Sequence, residues 1–121
     1  MDKTAIGNAG ETAVCRYLKF RGYEIIDRNY KTRFGEIDII AKKKNIIAFI
    51  EVKTRQKNSL VSGLDAVGYK KQHRVITAAK EFILKKHLFD LQPRFDVAEV
   101  TDYRRKLARF SIKYIENAFS E

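Results

Sequence analysis

A chain of 121 residues, 45% hydrophobic and 33% charged with six glycines and one proline, is long enough for one domain with a buried core and short for two. Its formal charge of +10 and pI of about 9.8 favour a polyanionic partner, a nucleic acid or an anionic membrane surface, because both reward clustered cations. The longest apolar runs, such as IIAFI at 46–50, fall far short of the roughly 20 residues that span a bilayer; the opening MDKTAIGNAGETAV lacks a secretory core; and the single cysteine, Cys15, excludes an intrachain disulfide or a Cys-rich zinc site.

The expectation is one cytoplasmic domain over residues 1–121, with no membrane contact, no small-molecule cofactor and Cys15 as a small buried residue. From Asn8 to Arg21, Ala9, Ala13, Val14, Tyr17 and Leu18 recur at helical spacing, and Gly22 stands where a helix commonly ends. YEIIDRNY at 23–30 is rich in β-branched and aromatic residues and predicts a first strand. Residues 35–41 and 46–53 predict two more, joined by KKKN as a hairpin. TRQKNSLVSGLDAVG at 54–68 has little periodicity and reads as a mobile loop.

A second helix follows from about Lys70 to Lys86, with Val75, Ile76, Ala79, Phe82 and Ile83 as its apolar stripe and Lys70, Lys71, Arg74 and Lys85 off it. After Pro93, RFDVAEV and RFSIKYI predict two strands joined by TDYRRKLA, then a short tail. The order α-β-β-β-α-β-β, with a helical crossover between strands three and four, predicts an α/β fold: a mixed sheet of about five strands flanked by helices.

With Ala41 opposite Ile46, the hairpin would set Asp38 opposite Phe49 and Glu36 opposite Glu51. Period-two alternation puts Glu36, Asp38, Ile40, Ile47, Phe49, Glu51 and Lys53 on one face, and Ile37, Ile39, Ile46, Ala48, Ile50 and Val52 on the other. The first face is apolar near the turn and ionic away from it. Carboxylates crowded there repel unless something pairs with them, and a divalent cation would resolve the conflict. Mg²⁺ takes oxygen ligands, typically one or two carboxylates with water and phosphate; Asp38, Glu51 and the Val52 carbonyl could converge on one ion, with Lys53 reaching the water or phosphoryl oxygens. The same pattern also suits a solvated face with cross-strand ion pairs, and spacing alone favours that second reading.

The stretch GNAGETAVCRYLKFRGYEIIDRNYKTRFGEIDIIA, with FIEVKTR, KKQHRVITAAKEFI and RFDVAEV, resembles the YraN-type family. That family is similar to archaeal Holliday-junction resolvases within the PD-(D/E)xK restriction-endonuclease-like superfamily. The resemblance implies Asp38 and Glu51 as metal-binding carboxylates, Lys53 as the basic catalytic residue and Glu11 as a helical carboxylate added to the site, with Mg²⁺ or Mn²⁺ bound. Ile37 stands where the superfamily motif has Pro. Glu11 also fits a capping box beginning at Asn8, and Glu36 is either a reserve ligand or a salt-bridge partner of Arg33 or Arg55.

His73 and His87 have no ligand-spaced partner and read as surface residues; Arg94 and Asp96 read as a structural ion pair, and Gln72 as a polar neighbour of the site in related nucleases. Arg33, Arg55, Lys70, Lys71 and Arg74 would grip phosphates near the carboxylates. The resulting expectation is a metal-dependent endonuclease acting on duplex or branched DNA, of a kind that related resolvases deploy as symmetric dimers. A DNA-binding module without catalysis and an RNA-directed nuclease are the alternatives.

Overall fold

The computed structural model describes residues 3–56, 68–102 and 110–121. Their elements are α1 (Lys3–Phe20), β1 (Glu24–Lys31), β2 (Glu36–Lys43), β3 (Ile46–Gln56), α2 (Tyr69–Lys86), β4 (Gln92–Asp102) and β5 (Phe110–Phe119). This is the expected α-β-β-β-α-β-β order. The sheet is open, with strands in the order β1-β2-β3-β4-β5; only β3 and β4 are parallel, and α2 makes their crossover. The expected loop at 54–68 falls mostly on 57–67, and the β4–β5 connection mostly on 103–109, both outside the described residues. No helix among the described residues is long and apolar enough to cross a membrane.

Each helix covers one face. Val14, Cys15 and Leu18 of α1 pack on Ile39, Ala41, Ala48, Ile50, Ala98 and Val100. On the other face Val75, Ala79 and Phe82 of α2 meet Ile40, Ile47, Phe49, Phe95 and Val97. Phe49 centres that layer, stacked on Phe95 at 5.6 Å and edge-on to Phe82 at 6.2 Å. The helix ends follow from backbone accounting. Gly22, at φ 92°, lets the Gly22 and Tyr23 N–H groups cap the carbonyls of Lys19 and Leu18. His87 takes the same left-handed position after α2, which gives this surface histidine a purely local role.

Three expectations need correction. The helix starts at Lys3, so Asn8 lies inside α1 and does not cap it. The hairpin turns on two residues, Lys44 and Asn45, rather than four, and pairs Ala41 with Ala48. The register is therefore two residues from the one expected: Phe49 pairs with Ile40, which carries Asp38 toward Glu51 rather than opposite Phe49. Finally, β5 runs on to Phe119, which is buried, so the chain end belongs to the sheet and is no tail.

Ile37 also departs from simple alternation. It packs in the α2 layer although Ile39, of equal parity, packs against α1. Opposite, Tyr30 joins the α2 layer while Arg28 donates to Thr12 Oγ1 of α1 at 3.3 Å. The break in both strands falls between these pairs, at Asn29 and Asp38, where Asn29 has a left-handed backbone (φ 54°). Asp38 is thus placed by a local twist in the sheet.

Candidate functional site

The β2–β3 ladder stops at Ile39 and Ile50, one pair short of the carboxylates. Beyond it the Asp38 side chain takes over the role of a backbone acceptor: its Oδ2 receives the Val52 N–H at 2.8 Å. Asp38 is half-buried and Glu51 is only 3% exposed. Two ammonium groups approach one Glu51 oxygen, Lys71 Nζ at 2.6 Å from α2 and Lys53 Nζ at 3.4 Å from β3.

Glu11 approaches from the opposite layer. Gly10 allows this, because a Cβ there would lie 2.6 Å from Thr54 Oγ1 on β3. Glu11 Oε1 is buried with no hydrogen bond, and Arg28 Nη2 stands 3.7 Å away. Burial pushes the Glu11 carboxyl upward, with Glu36 adding to the rise and Arg28 and Asn29 partly offsetting it.

Asp38 feels both layers. Burial first, then the charge of Glu51, then that of Glu11 drive it up to about 7, against the opposing pull of the Val52 N–H and Lys71. Burial, together with the neighbouring Lys71, lowers the Lys53 ammonium despite Glu51. For Lys71, burial is outweighed by its hydrogen bond to Glu51 and by that residue's charge, so its pKa rises. Asp38 and Glu11 are thus both held above the ordinary carboxylate range, mainly by burial and against the pull of Lys71 and Arg28.

A cleft of about 460 Å³ opens beside these residues, lined by Glu36, Asp38, Glu51, Lys71 and Arg74 and by Lys31, Thr32 and Gly35 of the β1–β2 turn. Thr32 fixes that turn: its hydroxyl accepts the N–H groups of Phe34 (2.9 Å) and Gly35 (3.1 Å). Gly35 keeps the wall thin, since a Cβ would sit 3.0 Å from Arg74 Cβ. Arg33, Lys70 and Arg74 are exposed around this end, with the Arg33 guanidinium 5.0 Å over the Phe34 ring. The Arg55 side chain lies outside the described residues.

Glu11, Asp38, Glu51, Val52 and Lys53 therefore meet at one end of the sheet. Lys71 joins them as an ion-pair partner, not as an outlying cation. Its position was legible after all: four residues before Val75 and seven before Ala78, it belongs to the inward stripe of α2. Glu99 was missed as well. It is 6% exposed and is the register partner of Lys53, and its parity with Phe95 and Val97 on β4 was the available signal.

Among the described residues no group of three or more His, Cys, Asp and Glu side chains is assembled as a metal centre. The donor set nevertheless fits a hard divalent cation. Asp38 lies close enough to Glu51 to feel its charge, Glu11 Oε1 is buried without a hydrogen bond, and burial raises both Asp38 and Glu11 despite the opposing pull of Lys71 and Arg28.

Fold and site together define an α/β protein with an acidic, lysine-flanked centre where two strands of a mixed sheet part. Residues 10–100 match the model described as "Uncharacterised protein family UPF0102". A UPF0102 protein of Alkaliphilus metalliredigens is 45% identical over 115 residues, covering 95% of this chain and 97% of that protein. One from Caldanaerobacter subterraneus is 38% identical over 98% of both, and one from Clostridium botulinum strain 657 is 44% identical over 94% of this chain and 93% of its own. The chain belongs to the UPF0102 family, the YraN-type family whose resemblance its sequence carries.

Proposed function

We propose that this protein is a Mg²⁺- or Mn²⁺-dependent endonuclease that hydrolyses phosphodiester bonds in DNA. The observation that carries the reading is the approach of Asp38, which feels the charge of Glu51 and accepts the Val52 N–H, to buried Glu51 beside Lys53 and Lys71, in a cleft also lined by Arg74. Asp38 and Glu51 would hold the cation, and Glu11 would supply an oxygen from the other layer. Val52, whose N–H already faces Asp38, presents its carbonyl on the same strand edge, because a strand residue projects both groups to one side. A bound divalent cation supplies an activated water and neutralises developing phosphoryl charge.

The chain's own groups do the positioning. Lys53, held near Glu51, orients the water or a non-bridging phosphate oxygen. Arg33, Lys70 and Arg74 engage phosphates on either side of the reacting bond, which locates a strand without reading its bases. No base-reading helix enters this scheme, so selectivity would follow DNA shape, with branched or junction DNA the preferred class and a symmetric dimer the form that cuts two strands.

The test is incubation with labelled four-way, flapped, single-stranded and linear DNA and with RNA, in Mg²⁺, Mn²⁺ or EDTA. Metal-dependent product from wild type, absent in Asp38→Ala and Lys53→Ala, is the expected result. Salt-sensitive DNA binding without product in any metal would leave a binding module of the same fold, and product from RNA alone would make it a ribonuclease.

A further inference from the structure

Glu51 Oε1 serves two lysines at once, Lys71 Nζ at 2.6 Å and Lys53 Nζ at 3.4 Å, while its side chain is only 4% exposed. Glu51 therefore has no route to solvent and must be neutralised where it stands. If a divalent cation takes this carboxylate, as the proposed function requires, two further positive charges arrive beside two ammonium groups. One of them must leave.

The structure distinguishes the two. Lys53 is tied to Glu51 through the same strand, its side chain is 25% exposed, and buried Glu99 stands beside it in register. Lys71 comes from a different element, the first turn of α2, and its side chain is 43% exposed. It also lines the cleft together with Arg74, so it has somewhere to go. We propose that Lys71 is the exchangeable counter-ion of Glu51: it holds the carboxylate until a divalent cation displaces it, and the freed ammonium then turns into the cleft to bind a substrate phosphate. Lys71 is a positioning residue in the first state and a substrate contact in the second. Glu51 is thereby paired before metal arrives, and the site gains a phosphate ligand only after it.

This rests on the metal-site reading, and Mn²⁺ affinity separates the two. Mn²⁺ binding is measured by titration for wild type, Asp38→Asn, Lys71→Met and Lys71→Gln, each first shown to melt cooperatively; the Gln variant serves if Met does not fold. Removing the competing ammonium is expected to tighten Mn²⁺ binding about tenfold, while Asp38→Asn weakens it by at least as much. Affinity unchanged or weaker in the Lys71 variants, with Asp38 dependence retained, overturns the exchange and spares the metal site. Loss of Asp38-dependent binding in wild type and Lys71 variants alike overturns both.

The second half is read from DNA binding by anisotropy with Ca²⁺ or EDTA across a salt series. Freed Lys71 adds about one phosphate contact, so the log–log salt slope should steepen by about one on adding Ca²⁺ in wild type and not in Lys71→Met. Equal changes in both proteins overturn the transfer of Lys71 to phosphate.

Discussion

Two groups of buried carboxylates, close in strand register, are treated in opposite ways. On β4, beside Ile50 of β3, fully buried Asp96 accepts from Arg94 Nε and Nη2, both at 2.9 Å, from the Tyr114 hydroxyl at 2.5 Å and from the Asn117 N–H at 2.9 Å. Burial and the Asp96 charge hold the Tyr114 phenol far above its ordinary range, so it stays a donor. At the cleft, Asp38 has one N–H partner among the hydrogen bonds described, and Glu11 Oε1 has none. A carboxylate kept for stability has its acceptor sites filled; Glu11 Oε1 is left open, as a ligand site requires.

The largest test of that contrast is Asp96→Ala. It strands the Arg94 guanidinium beside Tyr23 and should cost about 3–5 kcal/mol in denaturant unfolding. A loss below about 1 kcal/mol would make the two groups of carboxylates equivalent. Asp38→Asn should act in the other direction. The folded Asp38 carboxyl, raised to about 7, holds a proton that the unfolded chain has lost from about pH 4 upward, so metal-free stability falls as pH rises between those values. At about 1.4 kcal/mol per pH unit the penalty reaches at most roughly 4 kcal/mol above pH 7. The Asn variant, which keeps an acceptor for Val52, should be more stable than wild type at pH 8 in EDTA and indistinguishable at pH 4; melts at both pH values check it.

Gly10→Ala should cost about 1 kcal/mol net, because the gain in helix propensity offsets part of the clash with Thr54. Thr54→Ala, which removes the clashing hydroxyl, should restore the loss in the double variant, and an additive result would break the claim that this contact seats α1 and Glu11. The smallest effect belongs to exposed Lys70. Lys70→Ala should shift stability by less than about 0.5 kcal/mol while flattening the salt slope of DNA binding by about one.

What the sequence made legible was set by periodicity. The α2 stripe, the two hairpin faces and the crossover to β4 all emerge from spacings of 3.6 and 2. Periodicity says which face a residue takes but not its partner: a slip of two residues preserves every face, so the hairpin register, and with it the approach of Asp38 to Glu51, depended on a turn of lysines and asparagine that carries no glycine. The crossing of Ile37 into the α2 layer was hidden because it follows from the left-handed backbone at Asn29, a conformation Asn tolerates without announcing it. Asn8 and Glu11 have the spacing of a cap, and only the earlier start of α1 removes that role.

The short turn at Lys44 and Asn45 lies at the far end of the hairpin from the cleft, yet it acts as the ruler of the centre. If two residues were added there and the same tight turn re-formed, Glu51 would slide along β2 by about 7 Å while each residue kept its face. The carboxylates would then stand out of reach of one another. Loop length, ordinarily the freest variable in a hairpin, is here a dimension of the site, and the turn is the place where tolerance to insertion and retention of chemistry part company.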